Sequence, residues 1–243
     1  MATKLVELNQ PHALAKWQFS GFDDFYWYVT AHLWTSVLTD TGTIAVGDTH
    51  GGVALLTPSD GSVADNDEAY LKSTAEIIKL DADNTVRVAA RIQFTEANTD
   101  DANVMFGVMN AVAANSIVDD GGGPQASFSG AVFYKVDGET YWRVRSSIGT
   151  TNTTTALTAH TAGGSSYQVL EIEFKPVSLT RVQVTFFIDG RQVLDPAAGY
   201  PKPLEHYLDA TSATEMNVFV GVKNGGANLE TVNVDWIAWD VTR

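Results

Sequence analysis

The sequence predicts an all-β fold of two packed antiparallel sheets. Three observations carry this: apolar residues recur at every second position in several stretches, Asp-Gly and Gly-rich turns separate those stretches, and βαβ alternation is absent. In chain order, residues 5–16 read as an amphipathic arm broken at Pro11, so residues 1–20 form an N-terminal arm and residues 21–243 a single sandwich domain. Residues 44–57, interrupted by glycine, and residues 69–80 are β-rich. Over residues 85–94, Val86, Val88, Ala90, Ile92 and Phe94 share one face and Arg87, Arg91 and Gln93 the other, the mark of a strand with one wet side. Further strand-like stretches are residues 104–109, 129–136 and 140–147. Leu170, Ile172 and Phe174 alternate with Glu171, Glu173 and Lys175; Val182, Val184, Phe186 and Ile188 alternate with Arg181, Gln183 and Thr185. Residues 203–210 suggest one short helical turn, and residues 216–223 and 229–241 close the chain as strands, for about a dozen in all.

The turns fit this reading. Asp137-Gly138 and Asp189-Gly190 each sit between extended runs, where the pair favours a type I′ hairpin. Residues 118–124, with three consecutive glycines, and 162–166 read as loops, the first of them protruding. No repeat of 20 to 50 residues is visible, which argues against a propeller or solenoid. That many antiparallel strands in one domain form two packed sheets, a jelly-roll sandwich, because one open sheet of that size would expose an apolar face.

Composition narrows the function. The 243 residues include 15 Lys plus Arg against 29 Asp plus Glu, a net charge of -14, and no basic run, so a phosphate-binding groove for nucleic acid is not expected. With 44% hydrophobic and 10% aromatic residues the chain can bury a core. It has no cysteine, which excludes disulfides, thiolate metal sites and a cysteine nucleophile. No stretch approaches the roughly 18 apolar residues of a membrane span, and the N-terminus lacks a signal-peptide core; synthesis in a cytoplasm and no membrane partner are expected.

Residues 182–193 (VQVTFFIDGRQV), 219–223 (FVGVK) and 232–241 (VNVDWIAWDV) resemble the last third of the concanavalin A-like jelly roll of laminin G domains and glucanases: a strand running into a "DG" hairpin, a "GV" strand, and a closing V-x-V-D-x-I strand. The resemblance implies that fold, and such domains often hold calcium at a loop rim. Glucanases of this type carry a catalytic strand E-x-D-x-x-E or E-x-D-x-E, with two carboxylates about 5 Å apart. The nearest match is Glu171-Ile-Glu173, which lacks the intervening Asp and reads as the wet face of a strand, so no enzyme activity is expected.

The candidate sites are few. Asp65-Asn-Asp67-Glu68 and Asn98-Thr-Asp100-Asp101 offer hard oxygen ligands for calcium, without EF-hand spacing; otherwise no cofactor is expected. His12, His32, His50, His160 and His206 are isolated and read as surface or loop residues. Residues 121–124 end in proline with no lysine or helix following, so they are no phosphate loop. Residues 19–34 concentrate Phe19, Phe22, Phe25, Tyr26, Trp27, Tyr28 and Trp34; as a strand, Phe25, Trp27 and Val29 would face one way and Tyr26, Tyr28 and Thr30 the other, filling the core, with a protein interface or a glycan platform as alternatives. In the arm, Leu5, Leu8, Leu14 and Trp17 cannot bury themselves in so short a segment, and with Phe22 and Trp27 they are the interface candidates.

The whole chain also resembles the acidic, cysteine-free, Ala-, Thr- and Gly-rich structural proteins of tailed-phage virions. That resemblance implies a non-enzymatic decoration or cement protein bound to the major capsid protein on the virion surface, as a homo-oligomer. The alternative is a carbohydrate- or receptor-binding sandwich module of a tail fibre or secreted protein.

Overall fold

The structure is a computed structural model in which residues 18–242 are described, apart from 48–50, 60, 82, 97, 99, 164–165 and 210–213. Every regular element among them is a strand. In chain order these are β1 (Gln18–Asp23), β2 (Trp34–Leu38), β3 (Thr43–Val46), β4 (Ala54–Thr57), β5 (Glu68–Ser73), β6 (Ile78–Lys79) and β7 (Val86–Thr95). There follow β8 (Ala102–Met109), β9 (Ile117–Val118), β10 (Gly123–Pro124), β11 (Gly130–Lys135), β12 (Tyr141–Ile148) and β13 (Thr151–Thr161). The last are β14 (Gln168–Ser178), β15 (Arg181–Ile188), β16 (Arg191–Gln192), β17 (Glu205–Asp209), β18 (Glu215–Asn224) and β19 (Thr231–Thr242). β1 straddles the boundary drawn between arm and sandwich at residues 20 and 21.

Two antiparallel sheets face each other. The first runs β16-β15-β14-β7-β19-β4-β3, with β1 lying along β19 and β17 along β15. The second runs β13-β12-β11-β8-β18-β5-β2, with β6 along β18. The period-two residues of β7, β14 and β15 point between the sheets as their spacing requires, and Val88, Ile172, Phe174 and Phe186 meet Val104, Phe106, Phe133 and Val220 in one core. Trp142 sits edge-on to both Phe94 and Phe133 there, its Nε1 donating to Gln168 Oε1 at 3.0 Å. In β19 the register against β7 slips at Asp235, between Val234 and Trp236. That extra residue changes the parity, so Val232, Val234, Ile237, Trp239 and Val241 all face inward, and Asp235 pairs with Arg91.

A second apolar cluster lies on the outer face of the second sheet. Tyr70, Met105, Val132 and Phe219 are capped there by Val112, Ile117 and Phe128 of residues 110–128. This segment was expected to protrude in part, yet it lies flat, because a buried polar network holds it down. Lys223 Nζ donates to Asn115 Oδ1 at 2.8 Å and Ile117 O at 3.0 Å, and pairs with Asp119 and, at 3.3 Å, with Glu68. Glu68 in turn accepts from Tyr70 Oη at 2.6 Å and Asn115 N at 2.8 Å.

Two local expectations are corrected. Residues 205–209 are strand β17 on the edge of β15 and not a helical turn: His206 and Leu208 face inward and Tyr207 outward, a period of two. Of the two Asp-Gly turns, only Asp189-Gly190 has positive φ at both residues (51° and 73°), as type I′ demands. At Asp137-Gly138 only the glycine does, and Glu139 N closes the turn on Val136 O.

Candidate functional site

The aromatic segment does not continue as a strand. β1 ends at Asp23, whose carboxylate ties both ends of the following loop: Oδ1 accepts from Phe25 N at 2.8 Å and Oδ2 from Trp34 Nε1 at 2.7 Å. Phe25 takes a φ of 51° and drops its ring into the core against Trp34, at 5.6 Å between centroids. Ala31, at φ 65°, turns the chain back, and its N donates to Trp34 O at 2.8 Å. Trp34 stands edge-on to Trp239 (6.2 Å, 82°), and Trp239 lies across Gly21, where any Cβ would sit 1.9 Å from the indole. The expected alternation of residues 25–30 therefore fails; two non-glycine residues at positive φ replace the strand by a looped-out turn.

That loop and the end of β1 expose three aromatics within six residues: Tyr26 is 78% exposed, Trp27 65% and Phe22 63%. Trp27 lies 6.2 Å from the His32 ring, and Phe22 5.9 Å from Trp236. Between Trp27, Tyr28, Val29, His32, Leu33 and Trp34 opens a cavity of about 300 Å³, mostly apolar, with the Asp23 carboxylate at its edge. Three buried side-chain polar atoms have no hydrogen-bond partner among the described residues, and two belong to this region: Tyr28 Oη, enclosed behind the cavity wall, and Trp239 Nε1, on the indole that backs Trp34. The open cavity therefore offers a ligand aromatic walls with the Asp23 carboxylate at one edge, a lining that suits a partly polar, partly apolar molecule.

The other candidates separate. Trp27 lines this cavity, whereas Phe22 lies on β1 against Trp236 and is not in the lining; Leu5, Leu8, Leu14 and Trp17 lie outside the described residues, as do His12 and His50. The two acidic clusters meet at one end of the sandwich, where burial, then the charges of Asp101 and Asp65, raise the Asp137 carboxyl above its usual range against the pull of Lys135. Two of their carboxylates accept hydrogen bonds, Asp67 Oδ2 from Ala64 N at 2.9 Å and Asp101 Oδ2 from Asn228 Nδ2 at 3.0 Å, and the Asp100 backbone carbonyl accepts from Lys135 Nζ at 2.9 Å. Among the described residues no three acidic or histidine side chains form a group that could hold a metal ion. At both Lys135 and Lys223 an ammonium occupies the point where loop carbonyls and carboxylates converge. Glu173 pairs with Arg87 on the outer face of β14, and burial raises the neighbouring Glu171 carboxyl.

His206, expected at the surface, is buried between the sheets. Its Nδ1 lies 3.1 Å from Ser146 Oγ and its Nε2 3.0 Å from Thr155 Oγ1, with Phe186 edge-on at 5.2 Å. Burial lowers its pKa from 6.5 to about 4. The unfolded chain thus binds this proton at higher pH than the folded one, and the stabilisation, complete above pH 6.5, is lost as pH falls towards 4. Denaturant titrations should show about 3 kcal/mol lost over that window on this account, and His206→Asn should flatten the difference; an identical pH slope in the variant would contradict it.

No family model matches the chain, and no curated protein matches it. Solved structures do match in shape. An endo-1,3-beta-glucanase from Streptomyces sioyaensis superimposes with a TM-score of 0.58 at 15% identity, over 93% of this chain and 96% of that one. Peanut lectin gives 0.57 at 10% identity, over 93% and 97%. The carbohydrate recognition domain of Emp47p gives 0.56 at 9% identity, over 91% and 94%. At such identities the likeness is one of fold, and the fold is the concanavalin A-like jelly-roll sandwich. The first of these corrects the expectation that the chain is no enzyme: a hydrolase occupies the same fold end to end, so a missing E-x-D motif is no ground for excluding catalysis.

Proposed function

We propose that this chain is a carbohydrate-binding β-sandwich module, and that a saccharide docks at the aromatic cavity of residues 23–34. The observation that carries it is the exposed Trp27 beside an aromatic-walled cavity that also has Asp23 in its lining. The apolar face of a pyranose ring stacks on an indole, while its hydroxyls donate to a carboxylate such as Asp23. The fold supports this reading, since two of the three likenesses above are to a lectin and to a carbohydrate recognition domain. It favours carbohydrate binding over capsid decoration, which rests on compositional style and on residues 1–20.

Calorimetric titration with neutral and acidic oligosaccharides tests the proposal. Trp27→Ala should weaken binding about 30-fold or more, the loss of one central aromatic anchor, while thermal stability stays within about 0.5 kcal/mol of wild type because Trp27 is a surface side chain. Unchanged affinity in the variant would remove the saccharide from this cavity, and capture of a protein partner that Trp27→Ala abolishes would reassign the same surface to a protein interface.

A further inference from the structure

Lys223 and Glu68 are enclosed, each side chain 1% exposed, and both reach the same residue of the covering segment 110–128. Lys223 Nζ donates to Asn115 Oδ1 at 2.8 Å, Glu68 Oε1 accepts from Asn115 N at 2.8 Å, and Glu68 Oε2 lies 3.3 Å from Nζ. A primary amine, a carboxamide and a carboxylate are thus held in mutual contact. Tyr70 Oη donates to Glu68 Oε2 and Ile117 O accepts from Nζ, so the carboxylate and the amine are fixed by buried partners. Enclosing an ion pair carries a desolvation cost that a neutral covalent link removes. The other enclosed lysine is placed differently: Lys135 Nζ donates to the backbone carbonyls of Asp100 and Ala102, which have no ammonia to lose.

We infer that Lys223 and Asn115 join in an intramolecular isopeptide bond, with Glu68 carrying the protons. Lys223 passes one proton to Glu68, and the freed lone pair of Nζ bonds to Asn115 Cγ, whose π pair moves onto Oδ1. The tetrahedral centre collapses by breaking Cγ–Nδ2. The departing nitrogen takes the proton from Glu68, and a second proton of Nζ replaces it there. The products are an Nζ–Cγ amide, free ammonia and a protonated Glu68, and no oxidant or cofactor is consumed. Positioning supplies the rate, since the fold already holds all three groups and only a rotation about Cβ–Cγ is needed to turn the carboxamide's π face to Nζ. Asp119 also pairs with Lys223, but its side chain is half exposed and a carboxylate resists a nucleophile. Asn115 is neutral, and being exposed on its outer side it gives the ammonia an exit. The bond joins residues 108 apart and staples the covering segment over Tyr70 and Phe219 in a chain without cysteine. The inference is independent of the saccharide site, which lies on residues 23–34.

Intact-mass spectrometry of the full chain, denatured after a week at neutral pH, should give the sequence mass less one ammonia. Protease digestion should then yield one branched peptide linking the segments around Asn115 and Lys223. Asn115→Gly removes the carboxamide while accommodating the φ of 61° found there. This variant should carry its full sequence mass and melt about 10 °C lower, because the unfolded chain regains the freedom that the closed loop denied it. Glu68→Gln, checked for folding by circular dichroism, should also keep its full mass, since the proton carrier is gone. Wild type at full mass, a deficit of ammonia without the branched peptide, or a deficit of water with the branch at Asp119 would each overturn the inference.

Discussion

Replacing Lys223 by methionine should cost about 3–5 kcal/mol, because it strips the counter-charge from a buried carboxylate. Lys223 and Glu68 are both fully enclosed, and the ammonium joins Glu68 and Asp119 while its remaining protons go to Asn115 Oδ1 and Ile117 O. Without it Glu68 keeps its bonds from Tyr70 Oη and Asn115 N but sits uncompensated in a low-dielectric layer. Residues 110–128 should detach from the second sheet and uncover Tyr70, Met105 and Phe219, which an apolar dye would report. Lys223→Met combined with Glu68→Gln should recover much of the loss, since the orphaned charge goes with it. A loss below about 1 kcal/mol in denaturant titrations of the single variant would show the network to be dispensable.

Trp34→Ala should be comparably severe, again about 3–5 kcal/mol, for a different reason. The indole is 2% exposed, packs on Phe25 and Trp239, and donates the hydrogen bond that occupies Asp23 Oδ2. Its removal opens a cavity, frees the carboxylate and loosens both ends of the loop that presents Trp27. Saccharide affinity should fall with stability in this variant, whereas Trp27→Ala should lose affinity alone. If Trp34→Ala bound saccharide normally while destabilised, the cavity floor would have no part in the site.

Much of the scaffold is legible in the sequence because period two is a direct consequence of burying one face of a strand. Val86 to Phe94, Leu170 to Phe174 and Val182 to Ile188 each state it without interruption, and all point inward in the structure. Residues 205–209 state it too, as His206 and Leu208, but in so few positions next to Pro203 that a turn competes. The site was legible only as composition. Phe25 and Ala31 adopt positive φ without being glycine, asparagine or aspartate, so nothing local announces that residues 24–33 leave the strand and expose Trp27. The buried Lys135 and Lys223 were illegible for a related reason: a lysine in a period-two strand reads as solvent-facing until the loop that covers it is placed.

The most direct test of the account follows the indole N–H signals of the chain's tryptophans by NMR, assigned through single Trp→Phe variants, as oligosaccharide is added. Binding at the aromatic cavity should shift the Trp27 signal most, with Trp34 and Trp239 following, since one lines the cavity and the other backs it with an unpaired Nε1. Trp142, locked in the core on Gln168, should stay in place. Saturation by a saccharide that leaves Trp27 unmoved, or the failure of every saccharide to move any indole, would contradict a carbohydrate site at residues 23–34.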